Sequence, residues 1–333
     1  MLKSLEVGKL RAPAALPALP PRRSWRRDGR VTEESAPRRN PRIALLLWIL
    51  PLWLVVSAGF SIWFYFRKQA SDAQVEQIRF ATAVNDADLK GDVDKFLGFV
   101  GQRHPGSPQG LNRAAAMIEG SLGPANAGYK VERLRGPTLE AGQWPLLLVT
   151  LRGREEELPP LWIVVGYDGR PGSLGAEANA SGVASAMAAA HALADAHPKR
   201  AVVFAFIPHA YDSDSPLADT FAILKQRIGS ASSVLVVEAM GAGEKLMVSS
   251  RDAENPALRL VDGLGEVAGA ETICMEDDFD LSSALFEMNL PAVRVATRPV
   301  VRADEADDTA PDSAKHAAAT RALVSLIEKL SDS

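Results

Sequence analysis

Twenty-four consecutive residues, Ile43 to Phe66 (IALLLWILPLWLVVSAGFSIWFYF), carry no charge, and this run constrains the rest of the chain more than any other feature. As a helix rising about 1.5 Å per residue it reaches about 36 Å, against about 30 Å for the hydrocarbon core of a bilayer. A buried core helix rarely runs so long without a residue more polar than serine. The apolar region of a cleaved signal is about 7–15 residues and ends at a small-residue cleavage site. The run therefore reads as one transmembrane helix. Pro51 sits in its first half, where a kink is tolerated. Trp48, Trp63 and Tyr65 suit the interfacial belts, and Trp53 lies deeper.

The flanks set the orientation. Residues 1–42 hold 11 Lys and Arg against 4 Asp and Glu, with six prolines and little periodicity. After the span, Arg67 and Lys68 are balanced by Asp72 and Glu76. Positive charge stays on the cytoplasmic side. The reading is a disordered cytoplasmic tail (1–42), the span (43–66), a helical stalk (67–88) and an extracytoplasmic domain (89–333), periplasmic in a Gram-negative cell. The arginines of the tail are topology signals that can also meet anionic lipid. Nucleic acid is not an expected partner, because the tail has Trp25 as its only aromatic residue and no basic domain follows. With a net charge of −4 overall and +7 in the tail, the rest carries −11. Cys274 is the single cysteine, so no intrachain disulfide staples the exported domain and its stability rests on a core.

From Leu89 onward, segments of helical and strand period alternate. DVDKFLGFVGQ, LNRAAAMIEGSL, NASGVASAMAAAHALADAH, PALRLVDGLGEVA, LSSALFEM and DSAKHAAATRALVSLIEKL read as helices. YKVERL and PLLLVTLRG read as half-buried strands. LWIVVGY, RAVVFAFIP and SSVLVVEAMG are continuous apolar runs, as in central strands covered on both faces, and PAVRVAT is a further strand. The expected fold is an α/β three-layer sandwich around a mostly parallel central sheet. Ligands in such sheets sit beyond the carboxyl ends of the strands, which gathers Tyr167, Asp168, His209, Tyr211 and Glu238 around one crevice.

These strand ends, in order, resemble the co-catalytic zinc aminopeptidase family, whose fold is shared by glutaminyl cyclases and by the ectodomains of transferrin receptor and nicastrin. The resemblance spans about residues 89–330. It is carried by RHPGSPQGLNRAAAMIEGSL with GYKVERL, by VVGYDG, by GAEANASGV, by VVFAFIPHAY, by VLVVEAMG and by DLSSALFEMNLPAV. Members of that family hold two metal ions through His, a bridging Asp, Glu, Asp and a final His, and a further Glu is the general base. Carried over, the first His position is Gly166 and the bridging Asp is Ala178. The paired Glu positions are Ala210 and Tyr211, the strand-end Asp is Glu238, and the final His is Asp304.

Glycine and alanine cannot coordinate a metal, and two carboxylates do not make the four-donor site zinc prefers. Loss of the general base alone costs about 10²–10⁴ in rate. The survivors are architectural: Asp168 beside the first strand end, and Asn179, Ser181 and Gly182 in the turn. Behind the membrane span, the resemblance thus implies a catalytically inactive domain with no metal cofactor, which binds a peptide, a glycan or a partner protein. A second reading keeps hydrolysis, with Glu238, Asp304, Asp168 and His209 around a single zinc ion. In a third the ectodomain is purely structural, and Tyr211 filling the crevice would favour it. Ser181 lacks the G-x-S-x-G frame of a nucleophile, His104 belongs to a loop, and His191 and His197 do not share a helix face. The acidic DEADDT loop reads as solvated.

Overall fold

A computed structural model of the chain describes residues 41–74, 79–211, 216–229, 233–250, 254–258, 270–274, 281–302 and 304–333. The chain divides between Gln74 and Val75 into two units. In the first, helix α1 covers Pro41–Gln74, with Pro51 inside it. Leu52, Trp53, Leu54, Val55, Phe60, Ile62 and Phe64 are all more than half exposed, and at 100° per residue they go right round the helix. Among the described residues no helix is long and apolar enough to cross a membrane. The side chains described in α1 start at Ile49, whereas the uncharged run starts at Ile43.

The second unit is built on an eight-stranded sheet in the order β1–β4–β6–β5–β7–β10–β8–β9. The strands are β1 (Glu132–Leu134), β4 (Leu146–Leu151), β5 (Leu161–Gly166), β6 (Val202–Ile207), β7 (Ser233–Val237), β8 (Leu246–Ser250), β9 (Ala270–Cys274) and β10 (Ala292–Ala296). Short strands β2 (Thr138–Leu139) and β3 (Gly142–Gln143) pair separately. The central four, β6–β5–β7–β10, run parallel. Antiparallel β4 and β1 extend one side, and β8 joins the other side antiparallel, with β9 parallel to it.

Successive side chains of a strand face opposite ways, so a continuously apolar strand needs cover on both faces. Ile163, Val165, Phe204, Phe206, Leu235 and Val237 pack with α3 (Pro108–Leu122), α4 (Ser181–Ala192) and α7 (Ser313–Asp332). Their neighbours Trp162, Val164, Val203, Ala205, Val234 and Val236 pack with α5 (Leu217–Ile228) and α6 (Leu281–Glu287). This is the expected three-layer arrangement. Periodicity alone does not single out α5, β8 or β9. The helix expected over 256–268 begins at 256–258, and the rest of it lies outside the described residues.

The expected helical stalk over 67–88 is interrupted. Residues 79–85 are non-helical and pack on the folded unit, with Arg79 over the Tyr129 ring at 4.8 Å and the Thr82 N–H donating to the His191 carbonyl at 3.2 Å. Helix α2 (Asp86–Lys95) then starts behind an Asn85 cap that accepts from the Asp88 N–H. Residues from Arg79 on thus already contact the folded unit.

Helix α4 lies close on the sheet. A Cβ on its Gly182 would come 3.0 Å from the Val237 carbonyl of β7, which is why the turn ends in Ser-Gly. Against α4, α7 sets a buried polar cluster. His316 Nε2 lies 3.0 Å from the Ser181 carbonyl and 2.8 Å from Ser185 Oγ, which is 2.8 Å from Thr320 Oγ1. Burial pulls His316 from its ordinary 6.5 down to about 4. Above 6.5 the folded and unfolded states are both neutral there, and the full stability is present. Below it the unfolded chain takes a proton that the folded chain refuses, so stability is lost as pH falls toward 4. Urea denaturation at pH 7 and at pH 4.5 should differ by roughly 2–3 kcal/mol from this group, and His316→Gln should flatten that part of the curve.

Candidate functional site at the strand ends

The carboxyl ends of β5, β6, β7 and β10 converge. After β5, Asp168 is fully buried. Its carboxylate accepts the Ala210 N–H at 2.8 Å and the Tyr211 N–H at 2.9 Å. Asp168 thereby fixes the bend after β6, where His209 takes a left-handed φ of 62°. That bend swings the Tyr211 ring across the end of β5. A Cβ on Gly166 would fall 2.5 Å from Ala210 Cβ and 2.6 Å from Tyr211 Cε2, so glycine is the residue that lets the ring settle there.

Tyr211 is anchored at its far end. Its hydroxyl donates to Glu238 Oε1 at 3.1 Å, and Arg294 Nε donates to Glu238 Oε2 at 2.8 Å. The ion pair is nearly sealed, with side chains 2% and 4% exposed. Arg294 also donates to the Arg298 carbonyl at 2.8 Å. Burial, reinforced by the Glu238 charge, raises the Tyr211 phenol well above its ordinary value, so it stays a donor. Ala178 meets an apolar group of Ala239, Ala296 and Val301.

The turn that carries Ala178 is held from outside. Residues Ala176–Ala180 form one π-helical turn into α4. Asp307 accepts from the Glu177 N–H at 2.5 Å and the Ala178 N–H at 3.0 Å, and Asp308 accepts from the Leu174 N–H at 2.8 Å. On the other side the buried Arg103 donates to the carbonyls of Leu174 and Gly175 at 2.6 and 3.0 Å and to Asn179 Oδ1 at 2.5 Å. Lacking a direct carboxylate partner, its guanidinium is pulled by burial down to about 10. Burial raises the Asp307 and Glu177 carboxyls, against the pull of the N–H groups they accept. Ser181 Oγ donates to the Glu177 carbonyl at 2.7 Å and accepts the Met240 N–H at 2.9 Å, tying the turn to the end of β7.

Between these walls lies a cavity of about 120 Å³, lined among others by Arg170, Ala178, Asn179, Tyr211, Asp307 and Asp308. A smaller one of about 40 Å³ adjoins it, sharing Arg170, Ala178 and Tyr211 and reaching Glu238 and Arg294. Gly166, Asp168, Ala178, Ala210, Tyr211 and Glu238 thus come together as expected. Two candidates do not. Asp304 is exposed, and the acidic loop presents the buried Asp307 to the turn in its place. His209 is buried edge-on to Trp144, ring centres 5.6 Å apart, and lines neither cavity. Sequence reasoning passes over Arg103, Arg294 and Asp307, whose roles depend on which backbone they face.

The donor set does not fit zinc. Gly166, Ala178 and Ala210 offer no side-chain donor, Asp168 accepts backbone N–H groups, and Glu238 is neutralised by a guanidinium that would repel a second cation. Among the described residues no three His, Cys, Asp or Glu side chains converge to hold a metal ion. Removing Arg294 would strand a buried carboxylate: Arg294→Ala should cost about 3–5 kcal/mol in denaturant unfolding. The apolar pair Arg294→Met with Glu238→Leu should recover most of that loss.

Comparison with known proteins agrees with the fold. Residues 147–209, from β4 through the turn and α4 to the end of β6, match the model of Peptidase family M28. Among curated protein sequences none matches the chain significantly. Solved structures do. A glutaminyl cyclase from an Acidobacteriales bacterium is 16% identical, with a TM-score of 0.58, covering 75% of this chain and 96% of that one. A leucine aminopeptidase precursor from Bacteroides thetaiotaomicron is 12% identical, with a TM-score of 0.56 and coverages of 75% and 99%. A zinc aminopeptidase from Bacillus subtilis is 8% identical, with a TM-score of 0.57 and coverages of 75% and 98%. The folded unit has the fold of these aminopeptidases and glutaminyl cyclases, and its centre carries the sequence pattern of Peptidase family M28.

Proposed function

We propose that this chain is a membrane-anchored, catalytically inactive peptidase-fold domain that recognises a protein or peptide partner through its strand-end crevice. The observation that carries the reading is the buried Arg294–Glu238 pair beneath Tyr211. A metal-assisted hydrolase needs a cation with an open coordination position to acidify water and to polarise a carbonyl. A guanidinium paired with Glu238 and bonded to a carbonyl oxygen offers neither. Ala210 has no proton acceptor and Tyr211 is held as a donor, so neither of these two positions supplies a general base.

The anchor is proposed on the uncharged run Ile43–Phe66, on the apolar side chains displayed all round α1, and on the charge imbalance of residues 1–42. In this reading the tail is cytoplasmic and the folded unit lies on the other side. The full chain, purified in detergent and supplied with zinc or cobalt, should release no amine from aminoacyl 4-nitroanilides. Nor should it cyclise peptides with N-terminal glutamine above the buffer rate. Turnover of either substrate that is lost in Glu238→Ala would overturn the inactive reading. The full chain should also stay with membranes through carbonate extraction, and deletion of residues 43–66 should release it.

A further inference from the structure

The larger cavity is walled in part by the acidic loop: Glu305, Ala306, Asp307 and Asp308 line it together with Ala178, Asn179 and Tyr211. Across residues 304–309 no apolar side chain is buried; Ala306 and Thr309 are exposed, and Asp307 is the buried residue. Apolar packing belongs to the flanks. Val301 joins Ala239 and Ala296, and Ala310 packs on Leu89, Val93, Ala184 and Ala317. What fastens the loop is the main chain of one turn. The N–H groups of Glu177 and Ala178 donate to the Asp307 carboxylate at 2.5 and 3.0 Å. That of Ala176 donates to the Asp307 carbonyl at 2.9 Å, and that of Leu174 to Asp308 Oδ1 at 2.8 Å. Glu305 adds a pair with Arg298, side chains 35% and 29% exposed, where an ion pair contributes little. The fastening is also partly offset. Closing the loop takes the Asp307 charge out of water, and burial raises its carboxyl against the pull of the N–H groups and of Arg103. Segments with few buried apolar contacts open at free energies well below that of global unfolding.

The geometry points to residues 304–309 as a lid on the crevice, which opens as one unit while its packed flanks, Val301 and Ala310, and the strands beneath stay in place. Opening removes four lining residues from the cavity of about 120 Å³ and uncovers Ala178, so that a side chain or chain end of a partner can enter. The lid deepens the proposed function and rests on it for there being a partner to admit. Opening is read by amide exchange and thiol labelling, whereas the inactive reading is read by turnover, so either can fail alone.

Hydrogen exchange of the full chain in detergent, resolved to single amides, tests the lid. Leu174, Ala176, Glu177 and Ala178 donate their amide hydrogens to it. These four should share one level of protection, at least about tenfold below that of Gly169, Ala210 and Tyr211, whose amides donate to Arg103 and Asp168 in the same crevice. Asp307→Ala removes a charged acceptor and should speed the group at least about a further tenfold, with the three comparison amides unchanged. Asp307→Asn, which keeps the shape and one acceptor, should act in the same direction with a smaller gain. Access is read separately. In a Cys274→Ser background, the thiol of Ala178→Cys should react with N-ethylmaleimide at least about tenfold faster once Asp307→Ala is added. The lid is overturned if the four amides are as protected as Gly169, Ala210 and Tyr211, or if the Asp307 variants leave them unchanged or speed all seven alike. Labelling at position 178 that Asp307→Ala does not accelerate would overturn it as well.

Discussion

A buried ion pair, Arg294 on β10 with Glu238 at the end of β7, sets what the rest of the crevice can be. Taking two charges out of water costs several kcal/mol each, and the cost is offset only when each has its remaining hydrogen bonds. Here Tyr211 completes the carboxylate and the Arg298 carbonyl serves the guanidinium. Once Tyr211 is committed to Glu238, its ring must cross the end of β5, and position 166 can hold nothing beyond hydrogen. Ala178 then faces an apolar wall of Ala239, Ala296 and Val301. One neutralised charge thus shapes two neighbouring strand ends and the turn before α4.

The turn that shapes the site persists because its supports are backbone contacts. Asp168, Asp307, Asp308, Arg103 and Ser181 all bind main-chain N–H or C=O groups. None of these bonds depends on which side chain occupies position 178. The frame of the fold and the chemistry of the site are therefore separable, and a crevice can keep its walls after its reactive groups have gone. Beside the filled ion-pair site lies a small polar hollow lined by Arg170, Asn179 and Asp307.

Much of this was legible in the sequence, and the exceptions have a common cause. LWIVVG, VVFAFI and VLVV have no polar side chain, so central strands with two covered faces could be read directly. GAEANASGV announced its turn through residues that only tight backbone approach requires. Arg294 was not legible, since it looks like one alternating position in PAVRVAT until β10 pairs with β7 and brings it to Glu238. Within the acidic stretch, Asp304 and Asp307 are chemically alike, and only the path of the loop decides that Asp307 reaches the turn. His209 lies at a strand end as expected, but its left-handed φ turns it onto Trp144. Strand β8 was missed because LMVSS is part polar, and the contact of Arg79 with Tyr129 was not legible because the two meet only in three dimensions.

That the Arg294–Glu238 pair leaves no place for a metal is tested most directly by elemental analysis of the full chain purified in detergent with zinc offered in modest excess. The account predicts far less than one zinc per chain, with no difference between the native protein and Glu238→Gln. One or two equivalents of zinc retained by the native protein and lost on that substitution would contradict it.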